Sequence, residues 1–153
     1  MNTAGVSNPK YLWFERAGRR FAVSMDDLQE VLPSPALRPL PAGDPALSGL
    51  MFLREEVLPV FDPAALAGFR TASGLGAPVV IVLEMEGCPI MGLLAEAVGK
   101  VVELPVPTPM VASTRLGAVF AGVSGGSGQP KALVFDTAAL AATMGLAVEL
   151  PAD

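Results

Sequence analysis

The chain has no histidine among its 153 residues. That one absence removes the commonest proton shuttle, the usual base of a nucleophile triad and a standard zinc ligand. Cysteine is nearly absent as well: Cys88 stands alone, so no internal disulfide can form and a reducing cytoplasm is the expected setting. Cationic residues are scarce, ten Lys and Arg against fifteen Asp and Glu for a net charge of −5. A surface that binds nucleic acid needs a clustered basic footprint, so nucleic acid is not an expected partner. Long hydrophobic runs are missing too. The greasiest, Val79-Val-Ile-Val-Leu83, stops at Glu84 and Glu86, far short of a membrane span. The first ten residues lack the positive-then-apolar order of a secretory signal, and a soluble chain with no membrane insertion is expected. Yet 52% of the residues are hydrophobic and only 16% charged, with a mean hydropathy of +0.52. So little charge leaves apolar surface uncovered, and such a face commonly marks a partner site.

The densest local signals lie between Leu47 and Leu66. Two apolar runs, Gly49 to Leu53 and Val57 to Phe61, flank the charged corner Arg54-Glu55-Glu56, which predicts a β-hairpin. Asp62 is placed as an N-cap, Pro63 suits the first helical position, and Ala64-Ala65-Leu66 begins a short helix ended by Gly68. The same grammar returns at Phe120 to Val123, a Gly-rich corner, Lys131 to Phe135 and then Asp136-Thr-Ala-Ala-Leu140. Val60-Phe-Asp-Pro-Ala-Ala-Leu66 and Val134-Phe-Asp-Thr-Ala-Ala-Leu140 agree at six of seven positions.

Residues 1–10 read as a flexible arm and 11–148 as one domain. Tyr11 to Glu15 and Arg20 to Val23 form a hairpin turning at Gly18. Ser24 caps a turn through Leu28, and Gln29-Glu-Val-Leu32 is a strand stopped by Pro33. Leu37 to Pro45 is extended connector, and the Gly/Ser stretch at 69–77 is the expected crossover between halves. Pro78 to Met85 and Pro89 to Leu94 then make a hairpin, followed by a turn at Ala95-Glu-Ala97 and a strand to Leu104 closed by Pro105. Hairpin, turn, strand, proline connector, hairpin and capped helix thus occur twice. The expected fold is all-β with short helices, in two small, partly closed barrels sharing a seam, and the seam is where binding is expected.

This order of pieces resembles the CheW-like domain family, from about Tyr11 to Leu146. The family motif Gly-x-x-Asn-Leu-Arg-Gly-x-x-x-Pro-x-x-Asp-Leu is met here by Gly49, Leu53, Arg54, Pro59 and Asp62. An earlier segment is met by Leu28-Gln29-Glu30-Val31-Leu32, with its Leu-Pro connector at Leu40-Pro41. The resemblance implies two intertwined five-stranded SH3-like β-barrel subdomains. It implies a non-catalytic adaptor in a bacterial chemosensory array, recruited to membrane receptors. One barrel edge would meet the regulatory domain of a CheA-type histidine kinase, and the groove between barrels would hold the helical tip of a methyl-accepting chemoreceptor. Carried over by position, the partner-facing residues are Leu28, Glu30, Val31, Phe52 and Arg54, with Val79 across the groove. Phe52 stands where the family has Asn, and Glu55 where it has Gly. The corner after Arg54 is therefore expected to use a different turn, because a non-Gly residue at positive φ costs roughly 1 kcal/mol; the departures imply a divergent copy, serving either a non-flagellar pathway or a kinase other than the usual one.

Other readings remain open on the residues alone. Asp62 and Asp136 could be paired carboxylates for acid/base work, with Glu30 and the Gly-rich loop, in a small ligand-binding or enzymatic barrel, but helix capping accounts for both aspartates. Asp26-Asp27 and Glu55-Glu56 read as solvated turn charges, and Glu30 as either a partner contact or an edge charge that blocks aggregation. The apolar face could also pair with itself in a weak homodimer. No metal or cofactor is expected.

Overall fold

The computed structural model describes residues 9–33, 37–38, 46–69, 79–104, 107, 119–125 and 131–143. Among these residues ten strands and two short helices follow one another in chain order. Strands β1 (Lys10–Arg16) and β2 (Arg19–Ser24) form a hairpin whose corner, Ala17-Gly18, has both residues at positive φ, 55° and 75°. This is the backbone that matches the right-handed twist of the flanking strands. The Ser24 hydroxyl accepts from the Asp26 amide and caps a single 3-10 turn, Met25–Asp27, which leads into β3 (Leu28–Pro33). The second hairpin is β4 (Leu47–Leu53) with β5 (Glu56–Phe61). Helix α1 (Pro63–Leu66) starts where expected: Asp62 Oδ1 accepts from the Ala64 amide, and Pro63 fills the first helical position. It ends in a Schellman turn, with Phe69 N–H bonded to Ala64 O at 2.8 Å and Gly68 N–H to Ala65 O at 3.0 Å, and Gly68 at φ 89°.

The second copy supplies β6 (Val79–Met85), β7 (Cys88–Ala95), β8 (Ala97–Glu103), β9 (Phe120–Ser124), β10 (Ala132–Phe135) and α2 (Thr137–Thr143). Most of the 69–77 connector and of the Gly-rich corner after Ser124 lies outside the described residues.

The strands assemble into two five-stranded sheets, β8-β1-β2-β10-β9 (sheet A) and β3-β6-β7-β5-β4 (sheet B). Matching β1 to β6, β2 to β7 and so on through the two copies turns one order into the other. Each sheet therefore takes its first hairpin from one copy and its remaining three strands from the other. The copies join in parallel at β2–β10 and β5–β7, and antiparallel at β1–β8 and β3–β6. The strands on either side of 69–77 are both in sheet B. The chain changes sheets elsewhere, between β2 and β3 and between β7 and β8.

Alternation of facing along each strand builds three cores. The largest lies between the sheets: Phe14, Phe21, Phe120 and Phe135 from sheet A against Phe61, Ile81, Leu83 and Leu93 from sheet B. Phe14 stacks on its cross-strand partner Phe21 at 5.6 Å, and Phe120 meets Phe135 in a tilted pair at 4.6 Å. A smaller core sits inside each sheet, Met51, Leu58, Val60 and Val80 in B and Tyr11, Ala22, Leu104 and Val134 in A. Among the described residues no helix is long and apolar enough to cross a membrane.

Candidate functional site

The matched motif falls on β3 and on the β4–β5 hairpin, the two edges of sheet B. These edges approach each other. Arg54 Nη2 lies 2.9 Å from Glu30 Oε2, although no hydrogen bond aligns with that oxygen, so the contact is mainly one of charge. Leu32 of β3 packs on the same cluster as Met51 and Leu53 of β4. Beyond β3, Arg38 and Leu50 exchange backbone hydrogen bonds of 2.7 and 2.9 Å, so part of the proline connector lies against β4.

Arg54 occupies a left-handed conformation, φ 56°, and Glu55 does not. The corner thus differs from Ala17-Gly18 and from Glu86-Gly87, where both residues are left-handed. The residue carrying the strain is the arginine itself, not the glutamate in the family's glycine position. A non-glycine residue at such a φ persists only when its surroundings hold it there. The Arg54 side chain is 66% exposed and free to meet a partner, while that of Glu30, at 26%, is largely covered. Beside them Gln29, Leu53, Glu55, Glu56 and Pro89 complete a depression of about 380 Å³.

Val31 pairs with Ile81 and Pro33 with Val79. By alternation Val31 and Val79 share the face that carries Ile81 into the core between the sheets. On the hairpin, Phe52 pairs with Val57, which has the same facing as Phe61 four residues on. These four side chains therefore belong to one face of sheet B, and at Val31, Phe52 and Val57 the other sheet does not cover it: they are 36%, 61% and 51% exposed. An apolar cross-strand pair in solvent, with the Arg38 guanidinium 5.4 Å above the Phe52 ring, is a surface suited to an apolar partner.

Of the six residues singled out from sequence, Glu30 and Arg54 touch, and Val31 and Phe52 are exposed on one face. Leu28 and Val79 are half-buried against the main core. Val79 lies on the strand next to β3, not across a groove from it. Sequence reading missed Val57 and Arg38. Val57 opens a continuous apolar run that gives no hint of facing, and Arg38 sits among prolines that suggested only a connector.

The carboxylates that might have formed a catalytic pair are each held separately. Asp62 is buried and receives Arg16 Nε at 3.1 Å and Nη2 at 3.3 Å, besides capping α1. Arg16 Nη1 also lies 3.7 Å from Glu96 Oε2. Exposed Asp136 caps α2 through the Ala139 amide. Asp27, expected as a solvated turn charge, instead accepts from the Thr137 hydroxyl at 2.8 Å. Burial raises its pKa above the ordinary carboxylate value, and the nearby charges of Asp26, Asp136 and Glu84 act in the same direction against that hydrogen bond. Among the described residues no cluster of acidic or cysteine side chains is arranged to hold a metal.

A model of the CheW-like domain family matches residues 10–143. Among solved structures the chain is similar to the scaffolding protein TtCheW from Thermoanaerobacter tengcongensis, at 19% identity and a TM-score of 0.68, over 84% of this chain and 89% of that one. At that identity the likeness is one of fold. No curated protein sequence gives a significant match.

Proposed function

Because the chain belongs to the CheW-like domain family, we propose that it is a non-catalytic adaptor coupling chemoreceptors to a CheA-type histidine kinase in a bacterial chemosensory array. The observation that carries this reading is the meeting of the motif's Arg54 with Glu30 beside exposed Val31 and Phe52, at the edges of one sheet. A forked guanidinium on a protruding corner suits carboxylate or carbonyl oxygens of a partner. The apolar side chains beside it suit the hydrophobic stripe of a receptor helix. The kinase regulatory domain would be met by an edge of a sheet, where strand pairing is available. The adaptor would be cytoplasmic and recruited to arrays through these contacts. Phe52 in place of the family's Asn makes the contact more apolar, in keeping with a divergent partner, in a non-flagellar pathway or with a kinase other than the usual one.

The test is co-purification from the native cytoplasm, wild type beside Arg54→Ala and Val31→Asp. Recovery of a histidine kinase and a receptor by wild type, reduced at least about tenfold in either variant, is expected for the loss of a central contact worth more than about 1.4 kcal/mol. Absence of both partners from the wild-type sample would sink the adaptor reading and leave the fold untouched.

Exposed Phe52 and Val57 favour one further reading, weak self-association through the same hairpin. Sedimentation across a dilution series separates the two. A dimer abolished by Phe52→Asp would support self-association, and a monomer at all concentrations would exclude it.

A further inference from the structure

We propose that the β1–β2 hairpin end of sheet A carries a second docking surface, for an acidic peptide segment of a partner protein. Arg19, Arg20, Lys100 and Lys131 line two adjoining depressions there, of about 270 and 170 Å³, which share Arg20. These are four of the ten cationic residues of a chain whose net charge is −5, and among the described lining residues the one carboxylate is Glu15. A concentration of positive charge on an otherwise acidic molecule attracts anions and repels little of its own surface.

Two of the four cations are already held in place. The Arg19 guanidinium stacks 3.8 Å from the Phe69 ring centroid. That of Arg20 lies 5.0 Å from the Trp13 ring and 3.3 Å from Glu15 Oε2. Stacking leaves the edge donors of a guanidinium available while lowering the entropy lost on binding.

The chemistry of the floor selects among anions. Trp13 and Val98 line one depression, Val123 and Leu133 the other. Cationic rims over apolar floors match a segment in which acidic side chains alternate with apolar ones. A free phosphate would leave the floors uncovered, and a flat bilayer surface fits poorly into two concave sites. The surface lies on sheet A, whereas Arg54 and Phe52 lie on sheet B, so the two can be tested apart.

The experiment is a fluorescence-anisotropy titration of the full chain with a labelled peptide of about ten residues alternating Glu with Leu or Ala, long enough in extended form to cross both depressions. Saturable binding is expected, weakened by added salt and about tenfold by Arg19→Glu with Lys131→Glu. The milder Arg19→Gln with Lys131→Gln should show the same direction. Arg54→Ala should bind the peptide as wild type does. Failure of wild type to bind, equal binding by the charge-reversed chain, loss of binding in Arg54→Ala, or preference for phosphatidylglycerol vesicles over the peptide would each overturn the proposal. Capture of kinase and receptor is read separately, so the adaptor reading stands or falls on its own measurement.

Discussion

At the scale of single residues the two copies use the same aspartate differently. Asp62 caps α1 and also receives both arms of a buried arginine, whereas Asp136 caps α2 from an exposed position. Removing one partner of a buried pair leaves the other charge uncompensated, so Asp62→Ala is expected to cost about 3 kcal/mol. Asp136→Ala, which loses a cap alone, should cost about 1 kcal/mol; urea unfolding of the two variants checks the difference. The cap was legible because it is local, an Asp directly ahead of Pro or Thr-Ala-Ala. The Arg16 contact was not, because its partner is 46 residues away and a hairpin-end arginine looks like any solvated charge. Asp27 gives a prediction in pH. Its folded pKa lies above the unfolded value, near 3.8, so folding favours its protonated form. The resulting cost is absent below the unfolded value, grows as pH rises, and is complete above the raised folded value. Asp27→Asn can still accept the Thr137 hydroxyl, so it should raise the melting temperature at neutral pH and leave it nearly unchanged in acid. Thermal melts from acid to neutral pH decide this, and an unchanged neutral melting temperature would count against it.

At the scale of elements, hairpins were the most legible feature, since alternating or apolar runs around short polar corners define them locally. Turn geometry was less so: nothing in Arg54-Glu55 announced that the arginine would be left-handed. The continuous apolar runs of β6 and β7 also hid which residues face which core, and only the register resolves it. Gly92 shows how tightly that register is fixed. It pairs with Val60 on one side and Val82 on the other, and a Cβ there would strike the Val80 side chain. Gly92→Ala should therefore destabilise by about 2 kcal/mol through overpacking. Gly87→Ala, with nothing near the Cβ position but φ at 82°, offers the contrast: it adds left-handed backbone strain of roughly 1 kcal/mol with no overpacking. Chemical denaturation of Gly92→Ala that matched wild type would refute the packing account.

At the scale of the molecule, duplication was legible in the sequence, but the exchange of hairpins between copies was carried only by family resemblance. Copies that share one order of elements are equally consistent with strands paired within a copy or between copies, and composition does not distinguish them. The exchange predicts that neither half folds alone. Residues 1–69 contain β3, β4 and β5 without the β6–β7 hairpin that stands between β3 and β5 in sheet B. Far-UV circular dichroism of each half should show no cooperative transition, and mixing the halves should restore it. A folded isolated half would contradict the exchange. The matching strand orders also bear on ancestry. A half-length forebear with this pairing would have existed as a symmetric dimer trading hairpins, with two identical corners. Fusion of two such copies into one chain would release the corners from that identity. One could then keep an arginine poised beside a glutamate while its twin drifted to glycine and serine, so that a body built from matching halves became chemically lopsided.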